Sequence, residues 1–118
     1  MKGARTLWVD DNPSNNLYER TLLASLGVAA DVAISTEEAL YMMLRARYDL
    51  ILSDMNRGSN DHAGIDLLQA LSASDLDIPI VFYVSKLDPK RPIPAGAFGI
   101  TNRADELLHY VFDLIERR

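Results

Sequence analysis

The residues of this chain best suited to chemistry are three aspartates that follow two apolar runs. Asp10 and Asp11 come directly after Leu7-Trp8-Val9, and Asp54 follows the run at 50–53. If these runs are neighbouring strands of a parallel sheet, the carboxylates converge in one crevice, where protonation or a cation must relieve their repulsion. Oxygen ligands without a nearby histidine or cysteine suit Mg²⁺, which commonly bridges to a phosphoryl group. The pattern therefore indicates phosphoryl chemistry.

Each aspartate taken alone also has a purely structural interpretation. Strand ends and helix starts favour Asp for capping and for turn formation. The combination is harder to explain in that way, since a doublet closes one run, a single Asp closes another, and neither run contains an acidic residue. We therefore expect one shared acidic site.

Composition limits the classes of protein that need to be considered. The 118 residues are 48% hydrophobic, which predicts a single domain over residues 1–118 with a substantial core. A net charge of −5 argues against nucleic-acid binding, and the absence of cysteine excludes disulfides and thiolate metal sites. The N-terminus shows neither a signal peptide nor a membrane span. We expect a cytoplasmic protein that acts on a protein partner and binds neither nucleic acid nor membrane.

The elements that would position the aspartates alternate between strand and helix, which predicts a parallel sheet with helices on both faces. The first helix is predicted at 13–26, with Tyr18, Leu22 and Leu26 as its apolar face and Gly27 as its stop. The segment 86–96 contains three prolines, so no normal helix fits there. Strands are predicted at 5–9, 30–34, 49–53, 78–84 and 97–101, and further helices at 36–46, from 64 onward, and around Leu107 to Ile115.

Several motifs together resemble the response-regulator receiver family over nearly the whole chain. They are the acidic pair after strand one, Asp54 after strand three, Gly-Ile-Asp-Leu-Leu at 64–68, Ile-Pro-Ile-Val-Phe at 78–82, and Gly96-Ala97. The resemblance implies a doubly wound α/β fold with a five-stranded parallel sheet in the flavodoxin-like order 2-1-3-4-5. The prolines indicate that the fourth helix of the family is shortened or absent here.

The resemblance also implies a role for each residue of the site. Asp54 would accept a phosphoryl group from a histidine kinase or phosphotransfer protein. Asp11 would bind Mg²⁺ directly, Asp10 would hold a metal-bound water, and Asp54 and the carbonyl of Asn56 would complete the protein's ligands. The main-chain N–H of Met55 would face a phosphoryl oxygen.

The chain departs from the family pattern where the family carries its switch residues. The strand-four threonine or serine falls on Val84, with Ser85 one residue later, and the family lysine falls on Arg103. Lys86 is close enough in sequence to replace that lysine, so Ser85, Lys86 and Arg103 are the candidates for phosphoryl contact. The aromatic switch position falls on Ile100. We expect the chemical pocket to be intact and the ordinary relay to be weakened.

Three functions remain open at this point. The first is a free-standing atypical receiver that uses Mg²⁺, is phosphorylated on Asp54, and signals through a protein partner without being an enzyme in its own right. The second is a pseudo-receiver, an interaction module that works without phosphorylation. The third is a Mg²⁺-dependent phosphohydrolase of the haloacid-dehalogenase type, which needs an Asp two residues after its nucleophile. Asn56 and Asn12 occupy those positions, which disfavours the enzyme.

Overall fold

Five parallel strands alternate with helices in the computed structural model, which describes residues 3–56, 62–90 and 92–118. A short 3-10 turn, Pro13–Asn16, precedes the first helix. The strands are β1 (Ala4–Val9), β2 (Val28–Ala33), β3 (Leu50–Ser53), β4 (Ile80–Tyr83) and β5 (Gly99–Thr101), and the helices are α1 (Leu17–Ser25), α2 (Thr36–Arg45), α3 (Ala63–Ala73) and α4 (Ala104–Arg117).

The strands form one sheet in the order β2-β1-β3-β4-β5, which confirms the predicted topology. Val9, the last residue of β1, pairs with Ala33 of β2 and with Ser53 of β3. The three strands therefore end level with one another. Whatever follows them in the chain is delivered to the same edge of the sheet, as expected at the carboxyl ends of parallel strands.

Two apolar clusters pack on opposite faces of the sheet. On one face, α2 and α3 contribute side chains such as Met43 and Leu67, which cover Leu7, Ile51 and Phe82. On the other face, α1 and α4 cover the remaining strand residues, including the fully buried Trp8. This burial on both faces explains why the central strands read as continuous apolar runs rather than as an alternating pattern.

The buried face of α1 differs from the one that hydrophobic spacing predicts. Tyr18 is 73% exposed and Leu26 is 43% exposed, whereas Leu23 is fully buried. The buried side of this region runs from Asn16 to Leu23. The 3-10 turn has three residues per turn rather than 3.6, so it changes the direction in which the following side chains point. The predicted helix at 13–26 is thus a 3-10 turn followed by a shorter α-helix; of its predicted apolar face Leu22 is half-buried, whereas the assignment of Tyr18 and Leu26 was wrong.

The proline-containing segment between β4 and β5 has no helix in its described residues, 84–90 and 92–98, which confirms the prediction of an irregular segment. Pro94 and Gly96 from this segment line an open groove together with Ile65 and Leu68 of α3. On the face of the sheet that α2 and α3 cover, the part near β4 and β5 is therefore flanked by this irregular segment.

A polar cluster ties the outer strand β2 to the rest of the sheet. The Asp31 carboxylate accepts hydrogen bonds from the Tyr48 hydroxyl and from the Arg5 guanidinium, each at 2.7 Å. The Tyr48 hydrogen bond is the main cause that holds the pKa of Asp31 below its usual value. Burial, with the hydrogen bond to Asp31, raises the pKa of Tyr48 to about 12. Both shifts favour the ionised carboxylate beside a neutral phenol.

We expect Tyr48→Phe to lower the free energy of unfolding at pH 7 by about 1 kcal/mol. A hydrogen bond to a charged group is worth about 1.5–3 kcal/mol, reduced here because water screens a partly exposed carboxylate. The depressed pKa of Asp31 contributes stability above its unfolded value of 3.8 that is lost as pH falls. The raised pKa of Tyr48 contributes stability below its unfolded value of 10.0 that is lost as pH rises toward about 12.

The stability difference between the wild-type protein and Tyr48→Phe should therefore be largest between these limits and smaller on either side. Urea unfolding at acidic, neutral and strongly alkaline pH measures it. Tyr41→Phe is the matched control, because Tyr41 is 54% exposed and its ring keeps the contact with Arg45. A difference that is the same at every pH would contradict the assignment to Asp31 and Tyr48.

Candidate functional site

Asp10, Asp11 and Asp54 come together at the carboxyl ends of β1 and β3. The backbone N–H of Asp10 donates to the Ala33 carbonyl at 2.9 Å, and that of Asp54 donates to the Val9 carbonyl at 3.1 Å. These bonds continue the sheet one residue past the strands. One carboxylate oxygen from each of the three aspartates lies within 4.8 Å of the others. The convergence predicted from the sequence is present.

The three carboxylates differ in their surroundings. Asp11 is exposed, whereas Asp10 and Asp54 are half-buried. Asp10 is held on both oxygens: Oδ1 accepts from the backbone N–H of Asn12 at 2.9 Å, and Oδ2 accepts from the Asn16 side chain at 3.3 Å. The site therefore offers one solvent-facing carboxylate beside one that the protein orients.

This donor set fits Mg²⁺. The ligand atoms are carboxylate oxygens from three residues, with no histidine or cysteine in the cluster, which suits a hard cation that retains several waters. Three carboxylates this close repel one another unless a cation or a proton offsets their charge. The exposure of Asp11 leaves room on the solvent side for water ligands and for an incoming phosphoryl group.

Close packing at Gly64 fixes the backbone that carries Asp54. The N–H of Gly64 donates to the Met55 carbonyl at 2.9 Å. A Cβ on Gly64 would lie 2.6 Å from the Phe82 ring and 2.9 Å from the Asp54 carbonyl oxygen. Only glycine allows α3 to approach this closely. Its importance for the site is a feature that the sequence motif alone did not explain.

The other predicted site residues occupy different surroundings. Met55 is buried and Asn56 is exposed, and residues 57–61, which follow in the sequence, lie outside the described residues. Ser85 and Lys86 are exposed in the turn after β4. The guanidinium of Arg103 forms a bidentate ion pair with Asp105, donating from Nε at 3.1 Å and from Nη2 at 2.5 Å.

The two positions at which the resemblance places the switch residues are apolar. Val84 and Ile100 are both half-buried and pack with the cluster on the α2–α3 face. The backbone N–H of Val84 donates to the Thr101 carbonyl at 2.9 Å, which ties the end of β4 to β5. Neither side chain has a polar atom with which to respond to a charge at Asp54.

Sequence reasoning missed two residues that shape the site, Asn16 and Arg20. Asn16 is 2% exposed and contacts Asp10, and Arg20 donates from Nε to the Asn16 side-chain oxygen. Both are polar residues in a helical region, where hydrophobic spacing gives no signal. The three asparagines at 12, 15 and 16, just after the acidic doublet, are the feature of the sequence that could have indicated a polar contact with Asp10.

The family model for the response regulator receiver domain matches residues 6–102. The chain belongs to this family, whose members are signalling domains. It is 32% identical over 101 residues to the methanol utilization control regulatory protein MoxX of Paracoccus denitrificans, covering 82% of this chain and 45% of that protein. It is 33% identical over 101 residues to the gliding motility regulatory protein of Myxococcus xanthus, covering 81% of this chain and 13% of that protein. The chain thus spans less than half the length of these relatives.

Solved structures show the same fold. The receiver domain of the Francisella response regulator 1452 has a TM-score of 0.83 at 24% identity, covering 98% of each chain. The response regulator TrrA of Thermotoga maritima, solved in complex with Mg²⁺ and BeF, has a TM-score of 0.78 at 24% identity, covering 97% of this chain and 99% of that one.

In the part of the chain that the structure describes, no helix is both long enough and apolar enough to cross a membrane.

Proposed function

We propose that this chain is an atypical receiver that binds Mg²⁺, accepts a phosphoryl group on Asp54, and signals through a protein partner. The observation that carries the proposal is the convergence of Asp10, Asp11 and Asp54 within 4.8 Å. Membership of the receiver family supports the assignment of the acceptor, because Asp54 is the aspartate that follows the third strand of the sheet.

In the proposed step, a carboxylate oxygen of Asp54 attacks the phosphorus of a phosphodonor in line with the bond that breaks. A new O–P bond forms an acyl phosphate on Asp54, and the donor atom leaves with the electron pair of the old bond. With a phosphohistidine donor the leaving group is the histidine imidazole. With acetyl phosphate the leaving group is acetate. Little else is required of the protein in phosphoryl transfer beyond positioning and charge stabilisation.

Asp11, Asp10, Asp54 and the carbonyl of Asn56 are the groups that would hold Mg²⁺. When bound, the ion supplies positive charge that offsets the carboxylates and the negative charge developing on the phosphoryl oxygens. The backbone of Asp54 and Met55 packs closely against Gly64, whose N–H donates to the Met55 carbonyl at 2.9 Å and where a Cβ would lie 2.9 Å from the Asp54 carbonyl oxygen. This packing supports a defined position for the backbone that carries Asp54.

We propose Ser85 and Lys86 ahead of Arg103 as side chains that contact the phosphoryl group. Both belong to the exposed turn directly after β4, whereas the guanidinium of Arg103 is engaged by Asp105. For Arg103 to contribute, that ion pair must open. The main-chain N–H of Met55 is a further proposed donor to a phosphoryl oxygen, on the basis of its position next to Asp54.

The proposed function is tested by incubating the protein with acetyl phosphate and Mg²⁺ and measuring its intact mass. We expect one phosphoryl adduct on the wild-type protein and none on Asp54→Asn, because an amide oxygen is a poor nucleophile. Asp75→Asn removes the same charge at an exposed position after α3 and is the matched control. It should be modified as the wild-type protein is.

An adduct that survives Asp54→Asn would place the acceptor elsewhere. No adduct on the folded wild-type protein would favour the second candidate function, a pseudo-receiver that binds its partner without phosphorylation. The apolar side chain of Val84 and the engagement of Arg103 by Asp105 are the observations that favour this second candidate. The phosphohydrolase predicted as a third possibility requires turnover of phosphate esters, which is tested separately with p-nitrophenyl phosphate and Mg²⁺ by measuring the p-nitrophenol released.

We predict that phosphorylation acts mainly on the loops around the site, because Val84 and Ile100 cannot make the polar relay of the family. Val84→Thr adds a hydroxyl worth about 0.5–1.5 kcal/mol per hydrogen bond. It should increase the amide shifts that beryllofluoride causes across 97–112, with Mg²⁺ affinity unchanged. Nuclear magnetic resonance measures both, and Val84→Ala controls for lost packing. Strong propagation through 97–112 in the wild-type protein would contradict the prediction.

The proposed partners are a histidine kinase or phosphotransfer protein as donor and a downstream protein as target. One relative, the Escherichia coli sensor protein EvgS, is 32% identical over 74 residues, covering 63% of this chain and 6% of that protein, which supports a sensor protein as the donor. A cytoplasmic location is part of the same proposal. It rests on the composition of the chain and on the usual setting of the family.

A further inference from the structure

The side chain of Asn16 lies between the acidic site and α1 and has a defined orientation. Asn16 is 2% exposed, its amide nitrogen donates to Asp10 Oδ2 at 3.3 Å, and its amide oxygen accepts from Arg20 Nε. Arg20 also donates from Nη2 to the Pro13 carbonyl at 2.8 Å. These bonds connect one turn of α1, the 3-10 turn and the carboxylate of Asp10.

The direction of this chain of hydrogen bonds follows from the chemistry of arginine. A guanidinium group only donates, so Asn16 must present its oxygen to Arg20. Its NH₂ group is then the part that faces Asp10, which as a carboxylate only accepts. The Arg20 side chain therefore determines that Asp10 meets a donor rather than a second acceptor.

A structural role as a helix cap does not account for Asn16. The residue stands at the N-cap position of α1, where an Asn side chain ordinarily accepts a hydrogen bond from a backbone N–H of the first turn. At Asn16 no such bond is made. The side chain is directed instead toward Asp10 and Arg20. The chain thus forgoes a stabilising cap and orients a residue of the acidic site.

We propose that Asn16, oriented by Arg20, is a positioning residue for Asp10 in metal binding. Asp10 Oδ1 is held by the Asn12 N–H and Oδ2 by the Asn16 amide, so the carboxylate plane is fixed before a cation arrives. Groups that orient the groups binding a metal commonly contribute about 10–100-fold to affinity or activity. This inference rests on the proposed function, because it requires the acidic site to bind Mg²⁺.

The test measures Mg²⁺ affinity by calorimetry and Mn²⁺ affinity by water-proton relaxation. Asn16→Leu preserves the volume of the side chain and removes both hydrogen bonds, and we expect it to weaken binding about tenfold. Arg20→Met leaves Asn16 in place without its orienting donor and should give a smaller loss in the same direction. Asn15→Ala is the matched control, since Asn15 is an exposed neighbour in the same 3-10 turn.

Two further measurements separate positioning from an effect on folding. In a double-mutant cycle, Asn16→Leu should cause no additional loss of Mg²⁺ affinity in an Asp10→Ala background, because the carboxylate it orients is gone. In the metal-free protein, the Asn12 amide resonance should shift in Asn16→Leu and not in Asn15→Ala, because the Asn12 N–H is bonded to Asp10 Oδ1.

The possible outcomes distinguish this inference from the proposed function. Binding by Asn16→Leu within about twofold of the wild-type value, below the usual 10–100-fold range, would overturn the inference while leaving the metal site intact. An equal loss in the Asp10→Ala background would also overturn it, since the effect would then act through the fold. If the wild-type protein itself binds no Mg²⁺, the proposed metal site fails and the inference fails with it.

Discussion

Asp11→Ala is expected to weaken Mg²⁺ binding by more than about a hundredfold, because removing a residue that merely orients a metal ligand already costs about 10–100-fold. Asp11 is the exposed member of the acidic cluster and the residue that we propose as the direct metal ligand. Its carboxylate contributes both a coordinating oxygen and a full negative charge. Asp10 and Asp54 remain in this variant, but the site then has two carboxylates instead of three.

The same substitution should have the opposite effect on the stability of the metal-free protein. Three close carboxylates repel one another, so removing one should raise the free energy of unfolding. The wild-type protein should gain stability as Mg²⁺ is added, because a ligand that binds the folded state shifts the equilibrium toward it. Asp11→Ala should gain almost none at the same concentrations.

Thermal unfolding with and without Mg²⁺, together with calorimetric titration, measures both effects. Glu116→Ala provides the control: it removes one exposed negative charge near the end of α4 and should leave Mg²⁺ affinity unchanged. Unaltered affinity in both Asp11→Ala and Asp54→Ala would show that the three aspartates do not form a shared metal site.

The second large effect is expected from Gly64→Ala. The added Cβ would lie 2.6 Å from Phe82 Cε1 and 2.9 Å from both the Asp54 carbonyl oxygen and Met55 Sδ. Overpacking of this kind typically costs about 1–3 kcal/mol. The upper end applies here, because one of the three contacts is with backbone and cannot be relieved by rotation of a side chain.

This substitution should also weaken the site, since relief of the contact displaces the backbone of Asp54. Phe82→Leu in the same chain removes the ring contact and leaves the contact with the Asp54 carbonyl. We therefore expect the double variant to recover part of the lost stability and little of the lost Mg²⁺ affinity. Urea unfolding and calorimetric titration of the single and double variants measure this cycle. If Gly64→Ala alone has the same free energy of unfolding as the wild-type protein, α3 can move away from β3 without loss of stability, and the prediction is wrong.

The predicted switch behaviour follows from the same pocket. Converting a mostly inactive population into a mostly active one takes about 5.5 kcal/mol of differential stabilisation. Val84 and Ile100, which the resemblance places at the switch positions, are apolar and cannot supply polar contacts toward that energy. A response that depends on charge near the loops is the consequence we expect.

Much of the architecture could be read from the amino-acid sequence. Alternating strand and helix patterns predicted the parallel sheet, and the prolines at 89, 92 and 94 predicted the irregular chain that the described residues 84–90 and 92–98 form. The three aspartates could also be placed together, because parallel strands deliver the residues after their carboxyl ends to one edge. These features depend on local patterns and on one general property of sheets, so they needed no knowledge of side-chain packing.

Only the tertiary structure decided which side of α1 is buried and what surrounds Asp10. Hydrophobic spacing selected Tyr18 and Leu26, yet the buried side begins with Asn16 and ends with Leu23. Spacing arguments measure the benefit of removing apolar surface from water, and that benefit gives no reason to bury an asparagine. Asn16 is buried because partners from Asp10 and Arg20 satisfy its amide, and such a match exists only once the chain has folded.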